Sequence, residues 1–443
     1  MYLTDKRPTF RKHKSESNPY RVMVLLVFLI IGIFIIQSIE QEKIKPAFLP
    51  TGIPTRTAIS FALEGDTHFR AGDLDASIAA YQQAVTLDPQ DSHLWSELAR
   101  ILVYSSTLLT TDADRRTRLN EALEAIDVAV ELTPEDSTAH AVRAFVLDWS
   151  SNPALAGENS QRILNDAEQE AVLAIQLDNR NTLALAYYAE ILIDQKALIQ
   201  AEQYSRQALE RDPSLMDTHR VYAIVREYLG YYRDAIDSYK RAAEITPNLT
   251  FLYINIGVNY RQLKEYDNAL EYFAKAATIN EQQNIKNPIP YIAIGKTYSQ
   301  MGEFFIASRN VLKALQFKPT DPDIYATLGV VYFKARNYEG SIPALKCALR
   351  GCSAEESCEV RQCNDPYDPE IVIEGMPLSP TTVVYYYTYG SVLAGMHQSF
   401  NNYCEEAVDI LGMVRRDFND EPDILSIVRS SEQICESFGY NPR

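Results

Sequence analysis

A short turn-forming sequence closes an amphipathic stretch seven times along this chain. The seven sites are Leu87-Asp88-Pro89, Leu132-Thr133-Pro134, Leu177-Asp178-Asn179, Arg211-Asp212-Pro213, Ile245-Thr246-Pro247, Ile279-Asn280-Glu281 and Phe317-Lys318-Pro319. The steps between them are 45, 45, 34, 34, 34 and 38 residues, a basal step of 34 lengthened by insertions of 11, 11 and 4. A period of this length marks a stacked array of small units and excludes a set of independent globular domains. One unit, Thr250–Asn284, is readable as two helices. Tyr253, Ile256, Gly257 and Tyr260 share one helical face, and Tyr266, Ala269, Phe273 and Ala276 share another after a break at Lys264-Glu265. Gly257 and Ala269 are small where the two helices must approach closely, and the aromatic residues fill the space around them. Such a pair cannot bury both of its faces alone and needs a neighbour of the same kind.

The spaced pattern of aromatic, Leu-Gly, Tyr, Gly-x-Tyr, Ala, Tyr, Ala and Pro resembles the tetratricopeptide repeat family. One unit carries His219, Tyr222, Ala223, Gly230, Tyr232, Ala235, Tyr239, Ala242 and Pro247. Another carries Tyr291, Ile294, Gly295, Tyr298, Gly302, Phe304, Ala307, Val311, Ala314 and Pro319, and a third Tyr325, Leu328, Gly329, Tyr332, Tyr338, Ser341, Leu345 and Ala348. The first unit shows Phe61, Gly65, His68, Gly72, Ser77, Tyr81, Ala84 and Pro89, and the second Trp95, Leu98 and Ala99, continuing at Ala122, Ile126, Ala129 and Pro134. The resemblance implies an all-α fold, a right-handed superhelical solenoid of helix–turn–helix repeats with about eight units over residues 57–351. It is nearly silent on function, which lies in variable surface residues. The two 11-residue insertions, around Ser105–Asp114 and Ser150–Ser160, fall between first and second helices of consecutive units. They are expected to project from one edge of the array as one-turn helix extensions.

All six cysteines lie after the seventh turn signal: Cys347, Cys352, Cys358, Cys363, Cys404 and Cys435. Residues 352–378 break the helical pattern and read as a Cys-rich irregular segment; residues 379–443 read as a divergent repeat and a helical cap. No C-x2-C pair occurs, so zinc and iron–sulfur sites fit poorly. An even count outside the cytoplasm reads as disulfides, for which six cysteines allow fifteen connectivities. The expected arrangement joins Cys404 to Cys435 between the last helices and leaves four cysteines to staple the irregular segment.

Residues 22–36 hold no polar side chain, and the apolar run reaches Ile39. Eighteen helical residues span about 27 Å, close to the ~30 Å hydrocarbon core of a bilayer. The run exceeds a signal-peptide core and no small-x-small site follows it, so residues 22–39 read as an uncleaved signal anchor. Residues 1–21 form a short tail with six basic and two acidic side chains, which places the amino terminus in the cytoplasm and the remainder outside it. Residues 40–56, with Pro46, Pro50 and Pro54, read as a semi-stiff tether.

No phosphate-binding loop, zinc-protease helix, nucleophile elbow or dinucleotide fingerprint is present. His68, His140 and His219 occupy aromatic slots and read as packing residues. The formal net charge of −17 argues against nucleic acid as partner. No cofactor, metal or small-molecule substrate is implied, and the chain reads as a non-enzymatic, membrane-anchored scaffold that binds proteins or peptides. The resemblance places a peptide groove on the first helices, here Asp217, Arg220, Glu227, Phe251, Ile254, Val258, Arg261, Ile292, Lys296 and Gln300. The pairing of Lys and Asn that clamps a terminal carboxylate in some family members is not evident. Two rival readings are an accessory module of an envelope enzyme system and a secreted binder released by cleavage.

Overall fold

The computed structural model describes residues 18–40, 56–109, 111–363, 368–398 and 401–440; the basic tail before residue 18 and the tether at 41–55 lie outside the described residues. The chain forms two units, Met1–Arg56 and Thr57–Arg443. In the first, α1 (Pro19–Glu40) is capped by Asn18, whose side chain accepts from the Tyr20 N–H at 3.1 Å. The helix therefore starts three residues before the apolar run. Its stretch Pro19–Ser38 is long and apolar enough to cross a membrane, alone in this among the described residues, and its large apolar side chains are exposed.

The second unit is a series of antiparallel helix pairs: α2 (Ala58–Ala71) with α3 (Leu74–Leu87), α4 (Ser92–Ser106) with α5 (Asp112–Leu132), α6 (Ser137–Ser150) with α8 (Ser160–Leu177), and α9 (Thr182–Asp194) with α10 (Leu198–Arg211). Then come α11 (Met216–Tyr228) with α12 (Tyr232–Ile245), α13 (Thr250–Gln262) with α14 (Tyr266–Gln282), α15 (Ile289–Met301) with α16 (Phe304–Phe317), and α17 (Pro322–Lys334) with α18 (Tyr338–Arg350). The short α7 (Pro153–Ala156) lies inside the third pair.

Three local devices repeat along the array. First, the turn between paired helices contains one residue with left-handed backbone: Gly72, Lys196, Gly230, Lys264, Gly302 and Arg336, with φ from 59° to 85°. Glycine takes this conformation freely, whereas lysine and arginine hold it at a cost of roughly 1 kcal/mol. Second, a first-helix glycine lies against the residue sixteen positions on. A Cβ added to Gly65, Gly257, Gly295 or Gly329 would come within 2.4–2.7 Å of Tyr81, Phe273, Val311 or Leu345, respectively. Third, the ring early in the first helix donates to the carbonyl six residues earlier. Trp95 and Tyr325 do so to Pro89 and Pro319 at 3.0 Å, His140 and His219 to Pro134 and Pro213 at 2.9 Å, and Tyr253 to Pro247. In these five units the slot supplies a polar hydrogen as well as bulk, so Trp, His and Tyr exchange there and His140 and His219 are more than packing, whereas Phe61, in the slot of the first unit, carries no polar ring hydrogen.

The two long insertions differ in form. The first mostly lengthens the second helix of its pair: α5 has 21 residues against 14 in α3. The second adds a separate turn, because Asn152-Pro153 starts α7 and a 3-10 turn at Gly157–Asn159 follows it. The insertions meet where Arg116 Nε donates to the Leu155 carbonyl at 3.0 Å.

After α18 the Cys-rich segment is more ordered than the sequence suggests. It contains α19 (Ala354–Arg361), started by a capping box between Ser353 and Glu356, with Val360 and Ile373 buried. Residues 371–376 return along the end of α18: Cys352 and Ile373 exchange two backbone hydrogen bonds of 3.0 Å, and the Met376 N–H donates to Ala348 at 2.8 Å. Disulfides join Cys347 to Cys352 and Cys358 to Cys363. Three helices end the fold: α20 (Val383–Met396), α21 (Cys404–Asp417) and α22 (Pro422–Glu436), with Cys404 bonded to Cys435.

The turn and the close approach give opposite expectations for two substitutions measured by urea unfolding. Lys264→Gly relieves a left-handed lysine and should stabilise the chain by about 0.5–1 kcal/mol. Gly257→Ala forces a methyl into the Phe273 ring and should destabilise it by about 1–3 kcal/mol.

Candidate functional site

The first helices of the pairs supply the inner face of the array, and between the first and sixth pairs that face closes on itself. Asn248, ahead of α13, donates to the Ala71 carbonyl at 2.6 Å, and Gln283 donates to Gly72 at 3.2 Å. The Tyr104 ring of α4 stacks on Phe251 of α13 at 5.9 Å between centroids. One turn of the superhelix therefore brings pairs one and two against pairs five and six.

A buried charge network fills the closure. Asp217 receives hydrogen bonds from the hydroxyls of Tyr104 and, at 2.7 Å, Tyr187, and pairs with Arg100 at 3.0 Å. Arg100 also pairs with Glu97 at 2.7 Å. The Arg220 guanidinium is bidentate on Glu190 at 2.7 and 2.6 Å and donates through Nε to Tyr104 at 3.1 Å. It also lies 5.3–5.9 Å from the centroids of the Tyr104, Phe145 and Trp149 rings. Asp217 and Arg220 are 2% and 1% exposed. Burial pushes the Asp217 carboxyl up, but Arg100, Arg220 and the two tyrosine hydroxyls together hold it below the usual carboxylate range.

Beside this network lies a cleft of about 790 Å³, walled by α4, α5, α6, α9, α11, α13 and the second insertion. Asp148, Glu190 and Asp194 bring carboxylates to it, and Trp149, Tyr228 and Phe251 bring rings. Burial, then the charges of Glu190 and Asp194, pushes Asp148 well above the usual carboxylate value, with Arg220 opposing. Burial and Glu190 push Asp194 up to about 6. Among the described residues no cluster of acidic, His or Cys side chains has the geometry to hold a metal ion.

The groove residues named from the sequence fall into three places. Asp217, Arg220 and Phe251 are committed to the closure. Glu227 is half-buried and accepts from Asn259 at 2.9 Å and Tyr239 at 3.2 Å. Ile254 walls the cleft, Val258 packs against the Ala269–Phe273 cluster, and Arg261 lies 5.6 Å from the Phe273 centroid and donates to the Ala293 carbonyl at 3.4 Å. On α15, Ile292 is half-buried while Lys296 and Gln300 are exposed. Tyr104, Asp148, Trp149, Tyr187, Glu190 and Asp194 were not legible as site residues. Their one signal is that polar side chains stand on an otherwise apolar first-helix face.

Arg220→Met leaves Glu190 buried without its cation and should cost about 3–5 kcal/mol in urea unfolding. Adding Glu190→Gln should recover a large part of that loss. The pH dependence follows from the two kinds of carboxyl. Asp148 and Asp194 bind protons more readily folded than unfolded, so their contribution is full below the ordinary carboxylate value and is lost as pH rises through the folded one. Asp217 has the opposite sign: its contribution is present above the ordinary value and lost as pH falls through the lowered one. The thermal midpoint should therefore climb as pH falls from 8 to about 5 and drop in stronger acid. In Asp194→Asn the part of the climb near pH 6 should shrink.

Two tetratricopeptide repeat models match the chain, over residues 63–103 and 252–283. The second spans one helix pair, α13 and α14. The chain is similar to the BBSome complex member BBS4 of Bos taurus, at 29% identity over 111 residues, which is 25% of this chain and 20% of that protein. It is also similar to the probable UDP-N-acetylglucosamine–peptide N-acetylglucosaminyltransferase SPINDLY of Hordeum vulgare, at 30% identity over 105 residues, covering 22% of this chain and 11% of that one. The chain thus spans a fifth or less of the length of these relatives. Among solved structures it is similar to a thermophilic TPR protein of Thermus thermophilus, with TM-score 0.38 and 19% identity over 46% of this chain and 98% of that one. It is similar also to YrrB, a TPR protein with an unusual peptide-binding site, with TM-score 0.33 and 20% identity over 48% of this chain and 99% of that one. The successive helix pairs make this an all-α helical-repeat protein, and its two matched segments are tetratricopeptide repeats.

Proposed function

We propose that the protein is a non-enzymatic scaffold, held in a membrane by α1 with its amino terminus in the cytoplasm, that assembles other proteins on the outer side. The observation that carries this reading is the run of stacked helix pairs itself. Closure takes the start of α13, at Phe251, but leaves the rest of α13 part-exposed and a polar edge exposed on α15, at Lys296 and Gln300. We assign the partner surface to Ile254, Val258, Arg261, Ile292, Lys296 and Gln300; a partner chain lying there would bury apolar stems beneath a charged rim. The similarity to a member of a protein complex supports the same reading. Membrane anchoring is supported by the length and exposure of α1. The side of the membrane is supported by the six basic residues before the span and by three disulfides, which persist in oxidising compartments.

A photoreactive amino acid at position 300 of the full chain in living cells tests the assignment. A discrete crosslinked band is expected, weakened by Ile292→Asp and absent when the probe replaces the exposed Arg206 on the second-helix side. No band, or the same band from both positions, rejects it. Alkylation of intact cells without reductant should leave all six cysteines unmodified.

A further inference from the structure

Among the described residues most charges at the closure are paired, and Asp148 is the most deeply buried one that is not. It stands near the end of α6, is 4% exposed, and its Oδ1 is enclosed without a hydrogen-bond partner. The two cations near it, Arg220 and Arg115, are engaged by other groups. Glu190 repels it and is already held by Arg220 and by the Trp149 indole N–H at 3.2 Å. Asp194, one turn further along α9, repels it as well. Arg220 is attractive but is spent on Glu190. Arg115, on the α5 wall of the same cleft, donates to the Leu109 carbonyl at 2.9 Å and lies 3.9 Å from Asp112. A buried carboxylate among like charges is unfavourable unless a cation reaches it.

The space for that cation is present. The cleft of about 790 Å³ opens beside Asp148. Its walls combine the rings of Trp149 and Phe251 with the aliphatic side chains of Ile193, Ile224 and Ile254. Asp148 and Asp194 share the cleft with them. The rest of the lining is largely polar, but a strip of rings and aliphatic side chains beside carboxylates suits an alkyl stem that ends in a positive charge: the stem gains apolar contact and the head gains ring faces and counter-charges. The long-range charge agrees. The first 21 residues hold six basic and two acidic side chains, so the −17 of the whole chain leaves the rest about 21 negative. Such a field draws basic segments toward the cleft.

We propose that this cleft receives a lysine or arginine side chain from a basic segment of a protein partner, its cationic head on Asp148 and Asp194 and its stem along Trp149 and Ile254. This assignment rests on the scaffold reading, because it takes the ligand from a protein.

The chain has two tryptophans, so Trp95→His leaves Trp149 as the reporter of the cleft. Histidine already fills the equivalent slot at His140 and His219 and keeps the hydrogen bond to the turn. Full-length protein of this background, in detergent micelles at pH 7.5, is titrated with acetyl-Ala-Lys-Ala-Arg-Ala-Lys-amide. The comparison peptide has norleucine at each basic position, and spermidine is titrated separately. The expected result is a saturable change in Trp149 emission with the basic peptide and none with the norleucine peptide. Asp148→Asn should weaken the response by about 30-fold or more, the consequence of losing one member of a buried ion pair. The same variant should keep or raise the thermal midpoint, since it removes an unpaired buried charge, so the loss of binding does not come from unfolding. Three results would overturn the proposal: no saturable change, an equal response to the neutral peptide, or unaltered affinity in Asp148→Asn. Spermidine binding tighter than the peptide would overturn the protein source of the cation. Peptide binding here without crosslinks from position 300 would reject the α15 surface and keep the cleft; crosslinks without peptide binding would reject the cleft alone.

Discussion

Arg220 sits where a solenoid ordinarily keeps an open inner face, and the arrangement of the first six helix pairs depends on it. Its guanidinium spans Glu190 on α9 and the Tyr104 hydroxyl on α4, while Asp217, one turn before it on α11, holds Tyr104, Tyr187 and Arg100. Residues more than a hundred positions apart are thereby fixed at hydrogen-bonding distance. A buried ion network of this kind adds little net stability over a well-packed apolar one, but removing one member leaves the others uncompensated. Its effect is on geometry: the polar groups are satisfied only when the array has curled far enough for α4 to meet α11. The aromatic rings around them contribute packing that an open superhelix would leave wet, with Phe145 stacked on Tyr187 at 4.3 Å and Tyr104 on Phe251 at 5.9 Å.

The closure also explains where the cleft beside Asp148 comes from. The insertion that forms α7 and the lengthened start of α5 wall one side of the inner face, and the retained volume lies between them and α9, α11 and α13. The network uses its two arginines on Glu97, Glu190 and Asp217, and none is left for Asp148 or Asp194. The unbalanced charge of Asp148 and Asp194 therefore lies beside a cleft with room for another group.

Much of the fold was legible because its causes are local. The 34-residue step, the small residue opposite a large one sixteen positions on, and the helix-ending turn signals all act within one unit. The hydrogen bond from the aromatic slot to the turn is legible in principle, since Trp95, His140, His219, Tyr253 and Tyr325 all carry a polar hydrogen on the ring and all lie six residues after a proline. The closure was not legible. Arg100 and Asp217 are 117 positions apart and Asn248 and Ala71 are 177 apart, with no periodic signal linking them. Charged side chains on a first helix also read as solvated groove residues, because acidic and basic residues are seldom fully buried. Asp217 and Arg220 reverse that expectation only because each finds several partners from other repeats. The order in the Cys-rich segment is hidden for a similar reason: the buried Ile373 and Val360 lie in stretches too short to show a period.

The central claim is that the inner face is closed by contact between the first and sixth pairs, and it can be measured as a distance. Because all six cysteines are bonded in the structure, Arg70→Cys on α2 and Gln282→Cys on α14 supply two exposed spin-label sites beside that contact. Double electron–electron resonance on the full-length protein should give one narrow, short distance, broadened and lengthened by Arg220→Ala. A broad distribution at long distance in the otherwise unaltered protein, unchanged by Arg220→Ala, would contradict the closed array.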